Sequence, residues 1–239
     1  MITQRPEYDQ LVAANRILYR EGVVDGLGHV SIRHPDDPNK FVMSRSRAPG
    51  LVEFEDLMEF QLDGTSLDPQ NRTGYGERII HGAIMQVRPD VMSVVHNHSP
   101  AVLPYTITGR GMQPCIHTGA IIGDNVPTWD IRNKFGDATD MLVRSAEQGA
   151  DLAQALGNNT CILMRGHGAT IAGRTLKEAV IGAIYLQLNA QVMTTALQLG
   201  DPILLTQGEI AGHSEVMTTP LAEDRMWEYY CMRAGVGVC

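Results

Sequence analysis

Nothing in this sequence approaches the run of about 18 apolar residues that a membrane-spanning helix needs; the best stretches, residues 91–95 and 179–188, are short or broken by polar groups. The first ten residues, MITQRPEYDQ, hold no basic segment ahead of an apolar one, so no secretory signal is expected and a cytoplasmic location is. Positive charge is also short. Lys and Arg number 19 against 27 Asp and Glu, a formal charge of −8, and a chain of that sign does not draw its affinity from phosphates, so no nucleic acid partner is expected. The cysteines Cys115, Cys161, Cys231 and Cys239 include no C-x-x-C pair, which fits reduced thiols rather than a disulfide frame or a thiolate zinc site. Repeats, low-complexity tracts and Pro/Ser-rich linkers are missing too, so residues 1–239 are expected to form a single domain.

What is present is an alternation of strand and helix patterns in a folded composition, 44% hydrophobic and 19% charged. Pro6, with Leu11, Ala14, Ile17 and Leu18 on one face before Gly22, predicts an opening amphipathic helix. Residues 30–33 and 41–44 read as strands, and 58–62 as a third that ends in the Asp63-Gly64 turn pair. Ile79, Ile80, Ala83, Ile84 and Val87 recur at helical spacing within 75–87, and Pro89 stops that helix ahead of a buried strand over 91–98. A helix over about 139–156, a strand over 160–164, a capping box at Thr175 and Glu178 opening a long helix towards Gly200, and a last helix over about 223–232 complete the pattern. This order predicts an α/β layered domain with helices covering a central sheet.

Three histidines and one carboxylate carry the chemistry. His96 and His98 are two apart on a predicted strand, so their imidazoles share a face and can reach one cation. His167 stands in Arg165-Gly166-His167-Gly168, where glycine on each side lets the backbone turn tightly and aim the ring. Glu77 opens the helix that leads into the histidine strand; it is either a helix-dipole carboxylate or a fourth metal ligand or acid/base.

Taken as an ordered set, Glu77, His96, His98 and His167 resemble the class II aldolase/adducin family, whose members carry an acidic residue, an H-x-H pair and a later histidine in this order. Gly28-His29-Val30-Ser31-Ile32-Arg33 is similar to the family's G-N-x-S segment, and the resemblance covers nearly the whole chain. It implies an α/β/α sandwich around a largely antiparallel sheet, a homotetramer with active sites near subunit borders, and one divalent metal ion per subunit: zinc, manganese, iron or cobalt. It also implies carbon–carbon lyase chemistry, in which the metal stabilises the negative charge left when the bond breaks.

The sequence departs from the sugar-phosphate members of that family. Tyr75 and Gly76 stand where those members have a Ser-Ser phosphate pair, His29 replaces an asparagine, and a T-P-S-G-like turn reads Ser44-Arg45-Ser46-Arg47-Ala48-Pro49-Gly50. These changes resemble the branch that decarboxylates hydroxylated aromatic acids such as hydroxypyridine dicarboxylates and dihydroxyphthalates. The expected assignment makes His96, His98 and His167 the metal ligands and Glu77 the proton donor. Arg45 or Arg47, with His29, would orient the carboxylates. Ser46, Tyr75 and His117 are the remaining expected contacts to a small aromatic carboxylate. His81, one turn beyond Glu77, is expected to cap or pack, and Tyr229 and Tyr230 to pack or to reach a neighbouring subunit's site. Three rival readings stay open: an aldolase acting on an unphosphorylated hydroxy-keto acid, an iron dioxygenase, and an adducin-like interaction module without catalysis.

Overall fold

The period-two alternation gives the central strands two buried faces, and each face meets a different set of helices. The computed structural model describes residues 2–237. Seven strands form one sheet: β1 (His29–Arg33), β2 (Lys40–Ser44), β3 (Leu57–Gln61), β4 (Ser93–Asn97), β5 (Thr128–Trp129), β6 (Cys161–Met164) and β7 (Gly168–Gly173). Their spatial order is β3-β2-β1-β4-β7-β6-β5. Every neighbouring pair is antiparallel except β5 with β6. The expected α/β/α sandwich with a largely antiparallel sheet is what the chain adopts.

On one side of the sheet, Val30, Ile32, Val42, Val95, Leu163 and Ile171 join a core with α1 (Pro6–Arg20), α6 (Leu176–Leu199) and α8 (Pro220–Ala234). On the other, Phe41, Met43, Phe60, Val94, Ile162 and Ala172 pack with α2 (Arg78–Val87) and α5 (Ala146–Leu156). The helix α6 is long and apolar enough to cross a membrane by length and composition, and its apolarity has a local cause: Val180, Ile181, Ala183, Ile184 and Leu186 are buried in the first core. Short helices α3 (Leu103–Ile107) and α4 (Arg132–Phe135), and α7 (Gln207–Met217), fill the remaining connections.

Several boundaries differ from the sequence expectation. The helix expected from about 139 starts only at Ala146, where Ser145 caps it and Gln148 closes the box, leaving residues 139–145 as a loop. The helix expected from 75 starts at Arg78, with Glu77 at its N-cap position. At α6, Thr175 accepts the Glu178 N–H, but the Glu178 carboxylate turns to the Arg174 backbone and guanidinium, so the box is only half made. Strand β7 and helix α7 had not been anticipated. Cys115 and Cys161 are free thiols, whereas Cys239 lies outside the described residues.

Candidate metal centre

Strand alternation places the site. His29, Ser31 and Arg33 of β1 point to the α2 side, as do Val94 and His96 of β4, and the register pairs His29 with His96 directly. His98 follows one residue past β4 and returns to the same face, so its Nε2 lies 3.0 Å from Nε2 of His96. The tight hairpin between β6 and β7 delivers His167, whose Nε2 is likewise 3.0 Å from Nε2 of His98. Gly166 takes the left-handed conformation (φ +63°) that this turn needs. At Gly168 the requirement is space, because a Cβ there would sit 2.0 Å from the Asn97 carbonyl oxygen.

Glu77 does not cap its helix. Its Oε1 accepts the Val143 N–H at 2.9 Å, which leaves Oε2 3.4 Å from His167 Nε2 and 3.7 Å from His96 Nε2. One donor atom from each of the four residues lies within 4.8 Å of all the others. Ligands about 2.0–2.2 Å from a shared tetrahedral ion stand about 3.3 Å apart, so the set has the dimensions of a divalent metal site.

The hydrogen bonds behind the rings make the same point. The Met141 carbonyl accepts from His167 Nδ1 at 2.9 Å, so that ring presents a bare Nε2 lone pair. Thr170 gives its hydroxyl proton to the Met164 sulfur and accepts from His96 Nδ1 at 3.2 Å, which bares the second Nε2. Burial, reinforced by neighbouring imidazoles, holds His96 well below the ordinary histidine range and lowers His98 as well. Neutral rings with converging lone pairs are the form a cation needs. Met141 pays for its part in strain, since it is a non-glycine residue with φ +67°.

Beside the cluster lies a cavity of about 450 Å³ lined by His29, Ser46, Arg47, Tyr75, Gly76, Glu77, His98, Leu142 and Arg144, together with neighbouring backbone. Tyr75 packs against His29 with ring centroids 4.7 Å apart; its hydroxyl accepts from Ser44 and donates to the Arg47 carbonyl. Burial raises its pKa above the ordinary phenol value and keeps it neutral. His29 is itself held by a buried chain: its Nδ1 lies 2.6 Å from His81 Nε2, and His81 Nδ1 lies 2.7 Å from the Ser31 hydroxyl. His81 therefore neither caps nor merely fills space.

Arg45 requires a correction. Its Nε pairs with Asp56 at 2.7 Å, it does not line the cavity, and it serves to steady the loop with Arg47, which binds the other Asp56 oxygen at 2.6 Å. Arg47 keeps its place on the cavity wall. His117 is placed elsewhere, tilted against His213 (4.8 Å between ring centroids) in a separate hollow with Leu205 and Glu209, because the turn at 117–122 packs on α7. Tyr229 and Tyr230 pack on each other in α8, away from the cavity. Sequence reasoning missed Arg144 on the cavity wall and the support given by Met141 and Val143, whose contributions are main-chain atoms that no side-chain pattern announces.

Residues 9–194 match the family described as Class II Aldolase and Adducin N-terminal domain. The chain belongs to the class II aldolase/adducin family. Among curated proteins, this family member is 36% identical to decarboxylase tropJ of Talaromyces stipitatus over 95% of its own length and 93% of that protein's. It is 28% identical to a 3,4-dihydroxyphthalate decarboxylase of Arthrobacter keyseri, over 77% of this chain and 75% of that one. Its fold matches the solved structure of an L-fuculose 1-phosphate aldolase from Glaciozyma antarctica with a TM-score of 0.75 at 23% identity, over 96% of this chain and 85% of that one.

Proposed function

We propose that this chain is a metal-dependent, non-oxidative decarboxylase, a carboxy-lyase acting on a hydroxylated aromatic carboxylic or dicarboxylic acid. The carrying observation is the convergence of three imidazole nitrogens and the free Glu77 oxygen at a cavity walled by a phenol, an imidazole and guanidinium groups. The two decarboxylases among the relatives support the reaction class. His96, His98 and His167 would hold the ion. Bound there, a divalent ion supplies Lewis acidity that stabilises the negative charge left on the ring as CO₂ departs.

The chain's own groups supply the rest. Tyr75 and His29 offer flat walls against which an aromatic ring stacks, and Arg47 holds a carboxylate from the side. Glu77, fixed through Oε1 by the Val143 N–H, carries at Oε2 the proton that replaces the departing carboxyl group on the ring carbon. The balance is one aromatic carboxylate plus one proton giving CO₂ and the ring bearing hydrogen. The free thiols of Cys115 and Cys161 support the cytoplasmic placement, and the homotetramer belongs to the same proposal through the family resemblance.

The test is anaerobic incubation of metal-loaded protein with a panel of ortho-hydroxy aromatic mono- and dicarboxylates, following CO₂ and ring absorbance. Release of CO₂ with no carbonyl product is expected. An aldehyde with a keto acid from an unphosphorylated hydroxy-keto acid run alongside would establish the aldolase reading, oxygen uptake under air the dioxygenase reading, and failure to retain the ion with no reaction the interaction-module reading.

A further inference from the structure

We propose that Arg144 is a substrate-recognising residue that binds a second carboxylate, the one the reaction leaves on the ring, so that the preferred substrate is a diacid. The proposal deepens the decarboxylase reading and rests on it for the identity of the reacting group. It starts from the cations on the cavity wall, Arg47 and Arg144. Arg47 shares the buried Asp56 carboxylate with Arg45, so much of its charge is already answered. Arg144 is held differently. Its guanidinium bonds, among the described residues, run through Nε to Asp140 at 2.6 Å, and both side chains are more than half exposed. Such a pair is weak and exchangeable. Both terminal nitrogens remain for a ligand, and a guanidinium fork matches a carboxylate.

The backbone around Arg144 directs it to the reaction. Its neighbour Val143 donates the hydrogen bond that fixes Glu77, so the base of the arginine is pinned to the group that moves the proton. Across the gap, Gly76 immediately precedes Glu77, and among the described residues beyond its two chain neighbours a Cβ there would come within 4 Å of Arg144 Nη1 alone, at 3.8 Å. The missing side chain at 76 leaves an open lane between the guanidinium and the Glu77 end of the cavity. A diacid fills both ends at once: the departing carboxylate faces the histidine cluster and Glu77, and the retained one meets Arg144. A monoacid leaves the second end unanswered.

The experiment compares wild type, Arg144→Gln, Arg144→Lys and Asp140→Asn at equal metal content. Binding of phthalate and of benzoate is measured by calorimetry, alongside steady-state CO₂ release from matched ortho-hydroxy diacids and monoacids. A charge-assisted carboxylate contact corresponds to a preference of about tenfold or more for phthalate over benzoate in wild type. Arg144→Gln is expected to remove that preference by weakening phthalate alone and raising KM for the diacid more than it lowers kcat, with Arg144→Lys between the two. Asp140→Asn, which frees the guanidinium, is expected to tighten phthalate. A merely structural ion pair predicts instead that Arg144→Gln and Asp140→Asn behave alike, and that result, or an unchanged phthalate-to-benzoate ratio in Arg144→Gln, overturns the proposal. Arg144-dependent phthalate binding without CO₂ release from any acid would leave the recognition role standing and sink the decarboxylase reading; CO₂ release with unchanged selectivity would do the reverse.

Discussion

His81 makes the fold acid-labile in a way that can be measured one proton at a time. It is fully buried between His29 and the Ser31 hydroxyl, and burial pushes its pKa from 6.5 down to about 3. In the unfolded chain the imidazole titrates at its ordinary value. Between these limits the unfolded state binds a proton that the folded state refuses, so this contribution to stability is intact above about pH 6.5 and is lost progressively as pH falls towards about 3. Each full unit is worth about 1.4 kcal/mol and the unfolded imidazole is already half protonated at pH 6.5, so the step from about pH 6.5 to about pH 4.5 costs about 2 kcal/mol through this one side chain. Replacing it with a group that does not titrate, His81→Gln, removes that slope whatever it does to the absolute stability. Equilibrium urea unfolding of metal-free wild type and His81→Gln at the two pH values gives four free energies, and the wild type is expected to lose about 2 kcal/mol more than the variant. His29 and His96 are depressed first by burial and only secondarily by His81, so most of their slope is common to both proteins and drops out of the comparison. Equal acid losses in the two proteins would show that His81 is not held neutral, and the buried chain to His29 would have to be redrawn.

Four further outcomes follow from the same geometry. Glu77→Gln keeps an acceptor for the Val143 N–H while removing the transferable proton, so turnover should fall by about 10²–10⁴ with metal content unchanged by elemental analysis; near-normal turnover would strip Glu77 of its role. Gly168→Ala drives a methyl group to 2.0 Å from the Asn97 carbonyl and must part β7 from β4, separating His167 from His96 and His98. A loss of about 3 kcal/mol or more, together with metal, is expected, and a wild-type melting temperature would refute the packing argument. Chelation should abolish CO₂ release and lower Tm, with both restored by adding back a divalent ion, because an ion that binds only the folded state stabilises it by mass action. Asp56→Asn should loosen the loop that carries Arg47 and weaken diacid binding more than Arg45→Gln does, since Asp56 holds both arginines while the Arg45 guanidinium, among the described residues, pairs with Asp56 alone.

The cluster of Glu77 with three histidines was legible in the sequence because its signals are local. The two-residue spacing of His96 and His98 puts them on one strand face by itself, and glycines at 166 and 168 mark a turn around His167. Most of the sheet was legible for the same reason, through runs of β-branched and apolar residues. Strand β7 escaped notice because Gly168-Ala169-Thr170-Ile171-Ala172-Gly173 is small and glycine-bounded; its strand character comes from pairing on both sides with β4 and β6. Helix α7 carries Gly208 and Gly212, which blur its pattern, although Thr206 and Glu209 form a capping box that could have announced it. Met141, Leu142 and Val143 resemble a helical apolar stretch and are instead a loop, held by contacts to residues 26 to 66 positions away. The Asp56 clamp on Arg45 and Arg47, and the His81 link from α2 to β1, are tertiary pairings of the same kind.

The loop at 139–145 divides its duties by parity. Positions 141 and 143 hold His167 and Glu77 through a carbonyl and an N–H, atoms common to almost every amino acid, while residues 142 and 144 line the cavity. A library randomised at 142 and 144 alone should therefore yield enzymes that accept different acids yet retain the same ion and proton delivery. The backbone path is the part the fold fixes, and the chemical taste of the pocket is the part open to substitution.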